Sequence, residues 1–184
     1  MTKSGVPTDN NRQRAPLVFL DFDDVICLNA PYGAYDLLAP NPPDDLWTRL
    51  FHEPAVRTLE VIVTEFDPQV VITTSWLRFM ERAAIEHVLM KCAMSFVAER
   101  LHAAWEAPGV LGKSRLQVIE AWLQKNHLGE PFVVLDDALS GTGLSGSRWH
   151  RQGRVVLCKV DEGLHERHLA QVRRALSTRA PKRR

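Results

Sequence analysis

Leu17-Val-Phe-Leu-Asp21-Phe-Asp23-Asp24 drives an unbroken apolar run straight into three carboxylates. Four consecutive apolar residues are too few for a helix, and the lack of polar alternation marks a strand covered on both faces, as parallel strands are. Two further runs end as abruptly: Phe132-Val-Val-Leu135 on Asp136-Asp137, and Val70-Val-Ile72 on Thr73-Thr74-Ser75. Val155-Val-Leu-Cys158 reads as a fourth strand and Met94-Ser-Phe-Val97 as a weaker fifth. Parallel strands require crossovers, and the intervening segments are helical in pattern. Pro54 at a first-turn position precedes Val56, Leu59, Ile62 and Val63, and a second helix is expected from Leu77 to Lys91. A third, Ser114 to Lys125, carries Leu116, Ile119, Ala121 and Leu123 on one side, and a fourth runs from Glu166 to Leu176. The alternation predicts an α/β fold with a single doubly wound parallel sheet.

At 184 residues and 45% hydrophobic content, the chain is sized for one domain with its own core. Residues 1–15 read as a flexible arm, 16–176 as the domain and 177–184 as a basic tail. The stretch Asn29 to Pro43 holds Pro31, Gly33, Pro40, Pro42 and Pro43 and is expected to be a loop or flap. A flap and a helix consume the interval from Val25 to Val70, and a helix and a strand that from Trp76 to Lys113. A separate cap domain has no room. With 23 basic and 22 acidic residues, no global field demands nucleic acid or an anionic membrane as partner. Cys27, Cys92 and Cys158 form no CxxC pair and read as reduced thiols of a cytoplasmic protein. No apolar run approaches the length that spans a bilayer. Nothing in the pattern indicates an oligomeric state.

At the carboxyl edge of a parallel sheet, side chains leave the core and meet ligand. The Asp21 and Asp136 strand ends should converge there. So many negative charges within a few ångströms repel one another, and a bound cation is the natural resolution. Oxygen-only ligation favours Mg2+ over zinc. Thr74, with Thr73 as the neighbouring alternative, and Ser75 offer hydroxyls to a phosphate oxygen, and the Lys113 ammonium can neutralise both Asp21 and a phosphoryl group. The competing reading makes Asp23, Asp24, Asp136 and Asp137 helix caps and turn residues, and Lys113 a surface lysine. Finding both acidic clusters after buried-type strands weighs against it.

The order Asp21-x-Asp23, Thr after a strand, Lys113, then Asp136-Asp137 resembles the four motifs of the haloacid-dehalogenase (HAD) superfamily. VVITTSW, the GKS-led helix, PFVVLDD and VDEGLHERHLAQV look like the phosphatase domain of RNA-repair fusion proteins. The resemblance implies a Rossmann-like fold with no or minimal cap. It also implies a magnesium-dependent phosphohydrolase in which Asp21 attacks phosphorus to give an aspartyl-phosphate and Asp23 serves as general acid and base. Magnesium would be held by Asp21, Asp136 and the backbone carbonyl of Asp23, with Asp137 either a further direct ligand or a support behind them. An open site would suit large phosphorylated substrates such as nucleic-acid ends or protein side chains, and phosphorylated nucleic-acid ends or nucleotides are the expected substrates. The alternative is a non-hydrolytic module that keeps the fold and binds a phosphorylated ligand or partner.

Other signals carry less. Ala107-Pro-Gly-Val-Leu-Gly112-Lys113-Ser114 misses a P-loop at its first glycine, and the preceding HAAWEA is not a strand pattern. A receiver domain would place its aspartate after a middle strand. His150, His165 and His168 lack a full ligand set. Trp76 is either packed or a base-stacking surface, and Cys27 has no activating base. Arg148, His150, Arg151 and Arg154, with Arg173, Arg174, Arg179, Lys182, Arg183 and Arg184, form local basic patches that could touch a nucleic-acid backbone.

Overall fold

The structure, a computed structural model, describes residues 15–177. Five parallel strands form one sheet: β1 (Leu17–Leu20), β2 (Gln69–Ile72), β3 (Leu101–Glu106), β4 (Phe132–Asp137) and β5 (Val155–Cys158), in the order β3-β2-β1-β4-β5. The chain moves outward from β1 on one side, then returns to lay β4 on the other, so the switch point of the sheet falls between β1 and β4. Register finishes the alignment. Leu20 lies beside both Ile72 and Leu135, so Asp21, Thr73 and Asp136 follow at one level. Asp21 N donates to Leu135 O (3.0 Å) and Thr73 N to Leu20 O (2.9 Å), carrying the ladder one step past the apolar runs.

Strand residues alternate between two cores. Val18, Leu20, Val70, Ile72, Val133, Leu135 and Val156 face a layer built by α2 (Glu53–Phe66), α3 (Arg82–Lys91) and α7 (Leu169–Ser177). Leu17, Phe19, Val71, Phe132, Val134 and Val155 face α5 (Arg115–Asn126) and Trp149 of the one-turn α6 (Arg148–Arg151). Burying both faces explains why the strand segments are apolar throughout, each large side chain removed from water contributing ~1.5–3 kcal/mol. The stretch Asn29 to Pro43 holds a 3-10 turn, Ala34–Leu38, and one turn of helix, α1 (Leu46–Arg49), follows it; no separate cap domain stands among the described residues.

Two expected elements fall elsewhere. Ser95–Ala98 is a one-turn helix, α4, and the fifth strand is Leu101–Glu106, the HAAWE segment that lacks a strand pattern. As an edge strand with a register shift against β2, β3 is only half buried, so its residues need not be uniformly apolar. The helix expected from Leu77 is a 3-10 turn, Ser75–Arg78, followed by α3 from Arg82. Residues 1–14 of the expected arm and 178–184 of the tail lie outside the described residues. Among the described residues, no helix is long and apolar enough to cross a membrane.

Candidate active site

Asp21, Asp136 and Asp137 are buried together where β1 and β4 end, each presenting a carboxylate oxygen within 4.8 Å of the others. Asp137 Oδ1 accepts from the backbone N–H of Leu139 (2.6 Å) and Ser140 (2.8 Å), a tight turn that folds Ser140 back over the cluster. There the Ser140 hydroxyl contacts Asp21 Oδ2 (3.1 Å), Asp136 Oδ1 (3.4 Å) and Asp137 Oδ2. One hydroxyl proton serves one acceptor, so Ser140 leaves most of the cluster's charge unmet. Asp21 Oδ1 and Asp136 Oδ2 accept no hydrogen bond from the described residues. Burial raises the pKa of both, Arg115 opposing the rise at Asp21; at Asp136 burial and then the Asp21 charge push it up to about 8. Buried carboxylate oxygens that accept no hydrogen bond, close enough to share one ion, fit a hard divalent cation. The same crowding dictates glycine at 141, where a Cβ would lie 2.4 Å from Asp137 O.

The cation that the structure brings to this cluster is Arg115. Its Nη2 lies 3.5 Å from Asp21 Oδ2 and its Nε 3.0 Å from Asp136 Oδ2, the latter an ion pair without hydrogen-bond alignment, and the side chain is 9% exposed. Local rules place it there. Ser114 caps α5, its Oγ accepting from Gln117 N while Gln117 Oε1 accepts from Ser114 N, so Arg115 is the first helical residue. Thr142, in the loop after β4, takes the next free helix donors: its Oγ1 accepts from Arg115 N (2.9 Å) and its carbonyl from Leu116 N (3.1 Å). The acidic loop and the helix start are thereby locked together.

Asp23 stands apart from the acidic cluster. Ser75 Oγ donates to its Oδ2 (2.9 Å) and Trp76 Nε1 to its Oδ1 (3.0 Å), which holds the carboxylate in one orientation. Trp76 is 0% exposed, packed between Phe22 and Phe51, so it is not a base-stacking surface. Thr74 Oγ1 caps the 3-10 turn by accepting from Trp76 N, whereas the buried Thr73 Oγ1 has no hydrogen-bond partner among the described residues. Asp24 takes the turn role open to these aspartates: it adopts φ 54° and its Oδ1 accepts from Asp161 N (2.9 Å), tying the β1 and β5 loops together.

A cavity of about 560 Å³ opens against this assembly, lined in part by Ser75, Arg78, Lys113, Arg115, Ser140 and Thr142. Lys113 is exposed on its wall and makes no ion pair with the carboxylates among the described residues. β3 leads into the Ala107–Ser114 loop, so the strand a P-loop needs is present after all, but Ala107 is buried with its N–H spent on Ile72 O (2.8 Å) and cannot cradle an anion. The patch of Arg148, His150, Arg151 and Arg154 precedes β5 and so sits at the amino edge, opposite the site. There Arg148 pairs with Glu120, Arg151 with Gly146 O, and Arg154 with Phe132 O and Ala175 O. Arg173 pairs with Glu65. Arg179, Lys182, Arg183 and Arg184 lie outside the described residues. His150 and His168 accept backbone N–H bonds from Gly146 and His165. All three cysteines are unpaired, and burial pushes each thiol up to about 12.

Sequence reasoning missed Arg115 and Ser140. The S-x-x-Q capping box at Ser114 was the available signal for Arg115, because it starts the helix one residue after the cap. An open doubly wound sheet that gathers buried aspartates and a cation at the ends of β1 and β4 is the arrangement of haloacid-dehalogenase-like phosphohydrolases, and this chain is of that class. It matches, over residues 17–169, the family described as the HAD domain in Swiss Army Knife RNA repair proteins, and belongs to that family. Comparison with curated proteins and with solved structures gave no match.

Proposed function

We propose that the chain is a magnesium-dependent phosphomonoesterase that works through an aspartyl-phosphate on Asp21, with phosphorylated nucleic-acid ends or nucleotides as substrates. The observation that carries this reading is the grouping of Asp21, Asp136 and Asp137, buried with oxygens that accept no hydrogen bond, beside Arg115 and Ser140, which line an open cavity. Asp21 attacks phosphorus as the bond to the leaving oxygen breaks, and Asp23 gives that oxygen its proton. Asp23 then takes a proton from water, which attacks the phosphorus, frees Asp21 and yields inorganic phosphate. Ser75 and Trp76 hold Asp23 in place for both transfers. Arg115 offsets charge at the reacting oxygens. Asp21, Asp136, Asp137 and the Asp23 carbonyl would hold Mg2+, which neutralises the cluster and polarises the phosphoryl group. The family's description as part of RNA-repair proteins supports nucleic-acid ends.

A phosphatase screen that includes nucleotides, sugar phosphates and 3′- or 5′-phosphorylated oligonucleotides tests the reading. Turnover should vanish with chelator and return with magnesium, calcium substituting poorly. Binding of phosphate analogues without turnover of any ester would instead establish the non-hydrolytic module.

The carboxylate cluster also predicts how stability varies with pH. Asp21 and Asp136 hold their protons to higher pH when folded than when unfolded. The metal-free protein therefore loses stability as pH rises from the ordinary carboxylate range to about 8, because the folded state must give up protons it binds preferentially. Magnesium competes with those protons, so its stabilising effect grows over the same window. Melting curves from about pH 5 to about pH 8.5, in chelator and in magnesium, should diverge with pH. Parallel curves would mean that the cluster does not bind the ion.

A further inference from the structure

Next to the Ser75–Arg78 turn, whose Ser75 and Arg78 line the cavity, stand two aromatic rings that the chemistry above does not use. Tyr35 is 83% exposed and Phe79 is 40% exposed, and the rings stack on each other with centroids 6.4 Å apart and planes 18° from parallel. Large aromatic surface left in water on a small domain calls for an explanation. The turn that carries Tyr35 is anchored, since Ala34 and Leu37 of the Ala34–Leu38 turn pack into the main core and Gly33 N donates to Asp36 Oδ2 (2.8 Å). Neighbouring Tyr32 packs against that core and donates its hydroxyl to Asp45, whereas Tyr35 forms no hydrogen bond among the described residues. Phe79 directly follows the Ser75–Arg78 turn, so the pair stands next to the residues that hold Asp23 and line the cavity.

We propose that Tyr35 and Phe79 form a stacking platform for a nucleobase of a polynucleotide whose terminal phosphate enters the cavity. The inference rests on the phosphoesterase reading and specifies its substrate as single-stranded at the end, since an unpaired base can leave its own stack and lie on the rings without breaking a base pair. Arg78 and Lys113 on the cavity wall supply positive charge for a backbone phosphate, and the open face of Tyr35 supplies the flat apolar surface that a base of any sequence accepts. Cations lining the cavity with a near-parallel stacked pair of rings beside them match the charge and stacking surfaces by which single strands are held. The platform replaces Trp76, whose ring is enclosed.

The test separates binding from turnover. On an Asp21→Asn background, which leaves the phosphate in place, fluorescence anisotropy in magnesium compares an end-phosphorylated single-stranded oligonucleotide with the same strand made abasic at its last two positions. Bases should tighten binding about 10- to 100-fold, and Tyr35→Ala with Phe79→Ala should erase that difference. Tyr35→Phe should keep it. Both positions are exposed, and a melting curve checks that the double variant folds. Equal affinity for the base-bearing and abasic strands, or an undiminished difference in the double variant, overturns the platform. Wild-type phosphate release is read in parallel. If no ester turns over while the base dependence persists, the phosphatase reading falls and the platform stands.

Discussion

Asp21→Asn is expected to abolish phosphoester hydrolysis, lowering kcat by more than about 10⁴-fold, while leaving the protein folded. Asparagine keeps the shape of the side chain and removes its nucleophilic charge. The site already strains against that charge: Asp21 is 1% exposed, burial raises its pKa, and its charge is in turn a cause of the rise at Asp136. The variant should therefore melt no lower than the parent at neutral pH in chelator, and its magnesium response should shrink. Phosphate release under single-turnover conditions, with melting curves on the same preparation, checks both halves. Residual turnover near the parental rate would remove Asp21 from the mechanism altogether.

The second large effect is expected at Arg115 rather than at Lys113. Arg115→Met removes the only cation that the described residues place against Asp21 and Asp136, at 3.5 and 3.0 Å. It should lower kcat by about 10²- to 10³-fold, since a preorganised charge at the reacting oxygens is lost from a water-poor site. It should also destabilise the metal-free protein, because breaking a buried ion pair by removing one partner typically costs about 3–5 kcal/mol. Magnesium should recover much of that loss, and Arg115→Lys should restore part of the activity. Lys113→Met acts on an exposed residue of the cavity wall and should raise KM by no more than about tenfold, with kcat little changed. A kcat loss larger for Lys113→Met than for Arg115→Met would return the central role to Lys113.

Arg115 shows where sequence reading stops. GKSR presents two cations within three residues, and which one meets the aspartates depends on where the helix begins and how it is rotated. The Ser114–Gln117 cap fixes the first, and the docking of Thr142 on the helix start fixes the second. Ser140 depends on a turn closed by Asp137 with two backbone donors. The edge strand β3 was illegible for a different reason: half exposed and irregularly paired, it carries no burial pattern to read.

By itself the sequence determined that four apolar segments are buried parallel strands, that helices connect them, and that Asp21, Thr73 and Asp136 emerge at strand ends. These are local properties, because a strand covered on both faces must be apolar along its whole length and must change character where it leaves the core. Only the tertiary structure decided which polar groups meet. Asp23 found Ser75 and Trp76, Asp24 found the β5 loop, Arg115 found the acidic cluster, and Tyr35 found Phe79. Each of those pairs joins segments distant in sequence. Their meeting depends on strand order, register and the rotation of packed helices, which arise from burying two cores at once rather than from any one segment's pattern.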